Sequence, residues 1–460
     1  MIHIFSKYKE FIFLIFILLV GLYLRVYDIH VRTSFDADQE WLAFRAKELS
    51  KGDLPLLGPV TSIGSFSIGP GYVYLLSFAG IFTSNSPITG VYLSITLGIV
   101  TLIGFFLFIY NFVDKKTSYI VLFLLAISSR FIFWDQLPWA PSLFLISQII
   151  LLSGAYLSNK NKWGYPLMSL GLASGFQSHF GIFLSLLSIL IYLIMVKPVK
   201  LNLKMFVLSA AIIIVGFLPN FVFDITHNFT NVKKLVNVLQ DNGVEYFVSF
   251  NKIINVLSAN TISAIYPRDA SFVDKILTKS LFALVLVNTI SLLRDKKYKN
   301  MALLLLATAI IPAVVFFIQQ GKFSEYYLVM TVPSLIVMMS LLIKKVVNKK
   351  VILAIMLVTA ISLNIPEIKN KYVIWNLKAK EDVAKEMIRL AGVDDYGISL
   401  TTSLGNNFGF KYVLDYYGIK AKLPPEKGET RIFSIIIPEG FDGMVGMKDY
   451  SGIGLRWSGI

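Results

Sequence analysis

The chain is a succession of apolar runs of membrane length, separated by short polar turns in which lysine recurs. The runs fall at 11–29, 87–110, 117–134, 141–157, 164–178, 180–196, 204–222, 276–293, 300–318, 326–343 and 351–366. A helix needs about 20 residues to cross the hydrocarbon core. The expected fold is therefore an α-helical polytopic membrane protein of about 11 transmembrane helices, with the spans between 164 and 196 tilted or broken. Hydrophobic residues make up 55 %, far more than a water-soluble domain carries. Cysteine is absent, which excludes disulfides, thiolate metal sites and a cysteine nucleophile.

The basic residues set the expected topology. Lys115 and Lys116, Lys160 and Lys162, Lys197, Lys200 and Lys204, Arg294 to Lys299, and Lys344 to Lys350 occupy every second turn. The alternate short turns, 135–140, 179 and 319–325, hold only Lys322. Positive turns stay in the cytoplasm, so the N-terminus is expected there and the C-terminus outside. Lys7 and Lys9 precede the first run and no small-residue cleavage site follows it, so a retained helix is expected rather than a signal peptide. The same asymmetry makes Gly69 to Phe82 and Val244 to Tyr266 helices lying at the outer interface. The net charge of +15 is scattered between apolar runs, which excludes a nucleic-acid face and points to membrane lipids.

Two units are expected. Residues 1–366 form the membrane unit, with a first outer loop at 30–86 and a long outer loop at 223–275. Residues 370–460 form a small α/β soluble domain, with helices at Glu381 to Leu390 and Phe410 to Tyr417 and strands at Gly397 to Thr401 and Arg431 to Ile437. Abundant lysine and isoleucine without cysteine favour a prokaryotic plasma membrane.

Chemistry concentrates at Asp36-Ala37-Asp38-Gln39-Glu40, directly after the first run. Desolvating a carboxylate is costly unless something keeps it there. Two readings stay open for Asp36 and Asp38: capping of the helix-like run 38–50, or action as general base on an acceptor hydroxyl. Asp135 enters a second loop between Trp134 and Trp139, where an aromatic interface belt is the alternative. His179, Arg130, Arg268 and Lys322 are candidate partners for a lipid phosphate, each against a packing or snorkelling reading. Glu40, Asp135, Tyr72, Tyr326 and Tyr327 are candidates to line an acceptor or sugar pocket. No Gly-rich nucleotide loop follows a strand.

The order of these residues resembles the C-type membrane glycosyltransferases. The likeness is closer to the protein O-mannosyltransferase and lipid A aminoarabinose transferase group. It rests on the acids after the first span, Ala46, Gly52, Leu57-Gly58-Pro59 and Gly69-Pro70-Gly71-Tyr72-Val73-Tyr74. Leu218-Pro219-Asn220, His227-Asn228-Phe229, Tyr326-Tyr327-Leu328 and Pro333 extend it over roughly residues 8–340. The family's acid pair falls on Asp38 and Gln39, with Gln39 replacing an acid, Leu42 at the position of a helix tyrosine and Ala46 at that of its alanine. The resemblance implies a polyprenyl-phosphate sugar donor, a protein, lipid or glycan acceptor, and an inverting transfer at the outer face. It implies a first-loop acid as base, Asp38 with Asp36 as rival, and a phosphate contact from His179. No resident cofactor is assigned, and the acid cluster leaves room for a divalent cation. A flippase, and a glycan polymerase or ligase, are the alternative functions. The first is disfavoured by the scarcity of charges at midspan depth, the second by a 223–275 loop only mildly rich in Arg and His.

Overall fold

The computed structural model describes residues 2–62, 66–240, 248–268, 271–319, 323–393, 396–402, 409–420, 422–437 and 448–458. The chain opens with helix α1 (Ile2–Val26), a single turn α2 (Ile29–Arg32) and α3 (Ala37–Ser50). α4 (Gly71–Thr83) is the short helix expected at the interface, and α5 (Thr89–Phe112) is a full-length apolar helix. α6 (Lys115–Ile127) and α7 (Ser129–Asp135) follow, then α8 (Pro141–Leu157), α9 (Gly164–Phe176) and α10 (Ile182–Val196). α11 (Leu203–Thr226), α12 (Thr230–Gln240) and α13 (Phe250–Ile262) lead to four long apolar elements. These are α14 (Phe272–Ser291), α15 (Lys299–Gln319), a 3-10 turn Glu325–Thr331 continuing into α16 (Val332–Val346), and α17 (Lys350–Asn370).

Six helices among the described residues are long and apolar enough to cross a membrane. The expected span at 117–134 is bent by 65° between α6 and α7, and would make a seventh. Ser128 is extended there (φ −67°, ψ 119°), which stops α6. Asn364 of α17 then accepts from the Ser129 backbone N–H at 2.8 Å, so the restarted helix begins with a satisfied donor. α8, α9 and α10 have 17, 13 and 15 residues, shorter than the roughly 20 needed to span unaided.

α16 runs through the middle of the helical body, and every residue from Val332 to Leu341 is buried. α11 lies at the rim, where only Met205, Asn220 and Asp224 are buried while Ile214, Val215 and Ile225 are exposed. An all-round apolar helix with so open a surface is built for lipid contact.

The tail carries α18 (Leu377–Ala391), β1 (Gly397–Thr402), α19 (Phe410–Tyr416), β2 (Ile432–Ile437), β3 (Lys448–Tyr450) and β4 (Ile453–Ser458). Asn376 caps α18 by accepting from the Ala379 N–H, as short polar residues do at helix starts. The sheet order is β1-β2-β4-β3. β1 pairs parallel with β2 (Ile398 opposite Phe433), and β2 pairs antiparallel with β4 (Ile435 opposite Leu455). Phe433, Ile435 and Ile437 alternate into a core with Val383 and Met387 of α18 and Phe410 of α19. That core does not close on itself. Ile29, Phe35, Ile88, Val91 and Ile95, from the first loop and α5, belong to the same buried cluster.

Candidate active site

The three carboxylates at the start of α3 occupy different situations. Asp36 takes the N-cap position, and its backbone N–H donates to Gln39 Oε1 at 2.9 Å. Its carboxylate also receives Lys380 of α18, with Nζ to Oδ1 at 3.1 Å. Lys380 is buried to 1 % exposure and donates in addition to the Phe35 carbonyl. Glu40 accepts from the Tyr412 backbone N–H of α19 at 2.8 Å. Asp38, between them, has no hydrogen bond or ion pair among the described residues. Its side chain is open to solvent, yet crowding by the surrounding protein pushes its carboxyl above the ordinary carboxylate range, and the charge of Asp36 adds to this.

Tyr326 brings a second element to the same place, because its phenol lies within electrostatic reach of Asp38. The Tyr326 and Tyr327 hydroxyls meet Ser62 Oγ at 2.6 and 2.7 Å. The Tyr326 ring is edge-on to Trp139 (5.8 Å) and to His179 (6.1 Å). His179 sits in the turn between α9 and α10, 4 % exposed and stacked on Phe180. Its Nδ1 accepts the Gly181 N–H at 3.0 Å, which assigns the ring proton to Nε2. Nε2 is buried without a partner among the described residues. Burial among aromatic rings pushes His179 down to about 3. The ring therefore has one N–H, at Nε2, to offer a ligand.

The other predicted residues are placed elsewhere. Arg130 donates to Asn260 of α13 at 2.8 Å and lies over the Trp134 ring. Lys371 is near enough for mutual repulsion; burial first, against the pull of Glu367 and with the charges of Arg130 and Arg32, pushes the Lys371 amine down to about 8. Arg268 is exposed and faces Asp274 and Tyr266. Lys322 lies outside the described residues. Asp135 turns inward onto Arg25 Nε at 2.7 Å, with Arg25 fully buried. Gly98 of α5 faces this carboxyl so closely that a Cβ would overlap it. Tyr72 is completely buried, its hydroxyl 3.2 Å from Ser94 Oγ. Asp135 is thus held by an ion pair and Tyr72 by close packing.

Lys380, Ser62 and Arg25 were missed from the sequence. Arg25 alone had a signal, a cation inside an apolar run, which calls for a buried partner. No three His, Asp or Glu side chains among the described residues form a metal-ligand group. With Asp36 on Lys380 and Glu40 on a backbone N–H, the acid cluster does not fit a divalent cation. Beside α3 lies a small, mostly apolar pocket lined by Phe35, Gln39, Leu42, Leu76, Pro138 and Tyr412.

No family model and no curated relative matches the sequence. Solved structures do match the fold. ArnT from Cupriavidus metallidurans with bound undecaprenyl phosphate superposes over 96 % of this chain and 97 % of its own, with a TM-score of 0.62 at 8 % identity. Its apo form gives 0.63, also at 8 % identity, covering 98 % of both chains. The chain therefore shares the fold of these ArnT structures. The archaeal oligosaccharyltransferase AglB from Archaeoglobus fulgidus, in complex with an inhibitory peptide and a dolichol-phosphate, shares it more distantly. Its TM-score is 0.53 at 14 % identity, over 93 % of this chain and 65 % of that one.

Proposed function

We propose that the protein transfers a sugar, of hexosyl type, from a polyprenyl-phosphate donor to a hydroxyl of a protein, lipid or glycan. The observation that carries this reading is the state of Asp38: of three clustered carboxylates, it alone is uncommitted, and it stands beside the Tyr326, Ser62 and His179 group. The bound undecaprenyl phosphate and dolichol-phosphate of two fold neighbours support the donor class.

In this mechanism the acceptor oxygen attacks the anomeric carbon while its proton passes to Asp38. The bond from that carbon to the phosphate oxygen breaks, and the phosphate leaves with the electron pair. One displacement inverts configuration. Donors aimed at developing charge lower the barrier more than donors that already bind the ground state, and the proposal assigns that role to the His179 N–H and to Arg130. Arg268 and Lys322 remain proposed as further phosphate partners at the mouth. The topology proposed with this is eleven spans in a plasma membrane, with the N-terminus cytoplasmic and the tail, 370–460, outside the membrane unit 1–366.

The direct test measures transfer of radiolabel from a polyprenyl-phosphate hexose to membrane extract by purified protein. Wild type is expected to label an acceptor, and Asp38→Asn is expected to lose at least two orders of magnitude, the usual scale for a missing general base. Full activity in Asp38→Asn would remove Asp38 as base.

A further inference from the structure

The contacts between tail and first loop carry an inference that rests on the transferase reading but is tested apart from it. Four of them bracket Asp38 in sequence. The Leu377 N–H donates to the Thr33 carbonyl at 2.9 Å. Lys380 Nζ donates to the Phe35 carbonyl and to Asp36. The Tyr412 N–H donates to Glu40. Gly409, at φ +92°, lets the backbone before α19 approach the Phe35 carbonyl where any Cβ would collide. An ammonium buried to 1 % exposure is costly unless every donor is used well, and this one is spent on the turn that carries the acids.

We propose that Lys380 is a positioning residue of the transfer reaction: it holds the Phe35 carbonyl and the Asp36 carboxylate, fixes the first turn of α3, and leaves Asp38 as the one carboxylate free to act as base. Among the described residues, Asp36 from its own helix and Tyr326 from the 3-10 turn interact electrostatically with Asp38, while Lys380 from α18 acts on Asp36 and Glu40. Of these two carboxylates Asp36 is the stronger partner of Lys380 and the one that accepts its hydrogen bond, so the charge of Asp36 is the one that Lys380 chiefly counters. With Lys380 in place that charge is countered. Without it, Asp36 opposes ionisation of Asp38 in full, and the turn loses its anchor. A lysine that merely ties the tail down would leave the titration of Asp38 where it is.

The experiment labels the full-length detergent-purified protein with a water-soluble carbodiimide and glycine ethyl ester across a pH series. Peptide mass spectrometry then reads Asp36 and Asp38 separately. In wild type, Asp38 is expected to label and Asp36 to be protected. In Lys380→Met, labelling of Asp36 should rise several-fold and the midpoint for Asp38 should move to higher pH. Lys380→Arg should restore the wild-type pattern. In an Asp36→Asn background, Lys380→Met should produce no further shift, because the lysine acts through that carboxylate. If Lys380→Met does not fold, Lys380→Gln keeps a donor for the Phe35 carbonyl without the charge and should show the same shift. An unchanged Asp38 midpoint in the folded variant, or a shift that persists in the Asp36→Asn background, overturns the proposal. The same variants are assayed for radiolabel transfer, where the acid limb of kcat/KM should follow the Asp38 midpoint. The expected labelling shifts with no transfer by wild type would sink the transferase reading and leave the clamp standing. Transfer with unshifted labelling would do the reverse.

Discussion

Arg25 and Asp135 come from elements 110 residues apart and meet in the interior at 2.7 Å, with Arg25 also donating to the Gly21 and Ala126 carbonyls. Removing one partner of such a pair leaves an uncompensated buried charge, at a cost of about 3–5 kcal/mol. Asp135→Leu alone should lower the melting temperature in detergent strongly, and Arg25→Met combined with Asp135→Leu should recover most of the loss. The two acids at issue, Asp38 and Asp135, looked alike in the sequence. Each follows an apolar run and lies near aromatics. What separates them is a partner far along the chain, which no local pattern encodes. Asp38 also carries a pH prediction. Its carboxyl is raised in the folded protein, and only the ionised form accepts a proton, so kcat/KM should climb with pH through a midpoint above that of an ordinary aspartate. Asp36→Asn removes the like charge and should move that limb to lower pH; an unmoved limb would mean that another group sets it.

Among the elements, those with a clean period were legible. The tail helix expected at Glu381 to Leu390 is α18, and the strand expected at Arg431 to Ile437 is β2, each within a few residues. The last hairpin, β3 and β4, was not seen, because β3 is three residues long and β4 places Ile453, Gly454 and Leu455 inward without alternation. The break inside 117–134 was equally hidden. Its cause is a cap supplied by Asn364, 235 residues downstream. α18 makes its own prediction. Glu386 accepts a two-point contact from Arg389 (2.7 and 2.8 Å) and a third from Lys448 of β3 (2.8 Å). These hold its carboxyl down at about 2, against 4.5 for the free side chain. A depressed carboxyl contributes stability above its unfolded value and loses it as pH falls through the folded one. The tail should therefore soften between about pH 4.5 and 2, and Glu386→Gln should flatten that dependence in a circular-dichroism melt.

At the scale of the whole molecule, the helical body and the tail share a buried surface at the first loop. Phe35 packs against Tyr412 (ring centroids 5.9 Å apart), and Val91 and Ile95 of α5 enter the tail core. A chain ending at residue 370 keeps every apolar helix but exposes this surface. It should insert into membranes yet show no transfer and increased aggregation, read by the radiolabel assay and by size-exclusion chromatography. Lysine placement carries the expected topology and the acids the expected working end, but the link between first loop and tail needed groups 344 and 372 residues apart. That separation sets a clock on biogenesis. Ribosomes add about 5–20 residues per second, so α3 waits on the order of tens of seconds for Lys380 and Tyr412 to be made. Until then the acid cluster stands without its anchors, so on the proposed mechanism the nascent chain stays inactive until its tail has been made and docked.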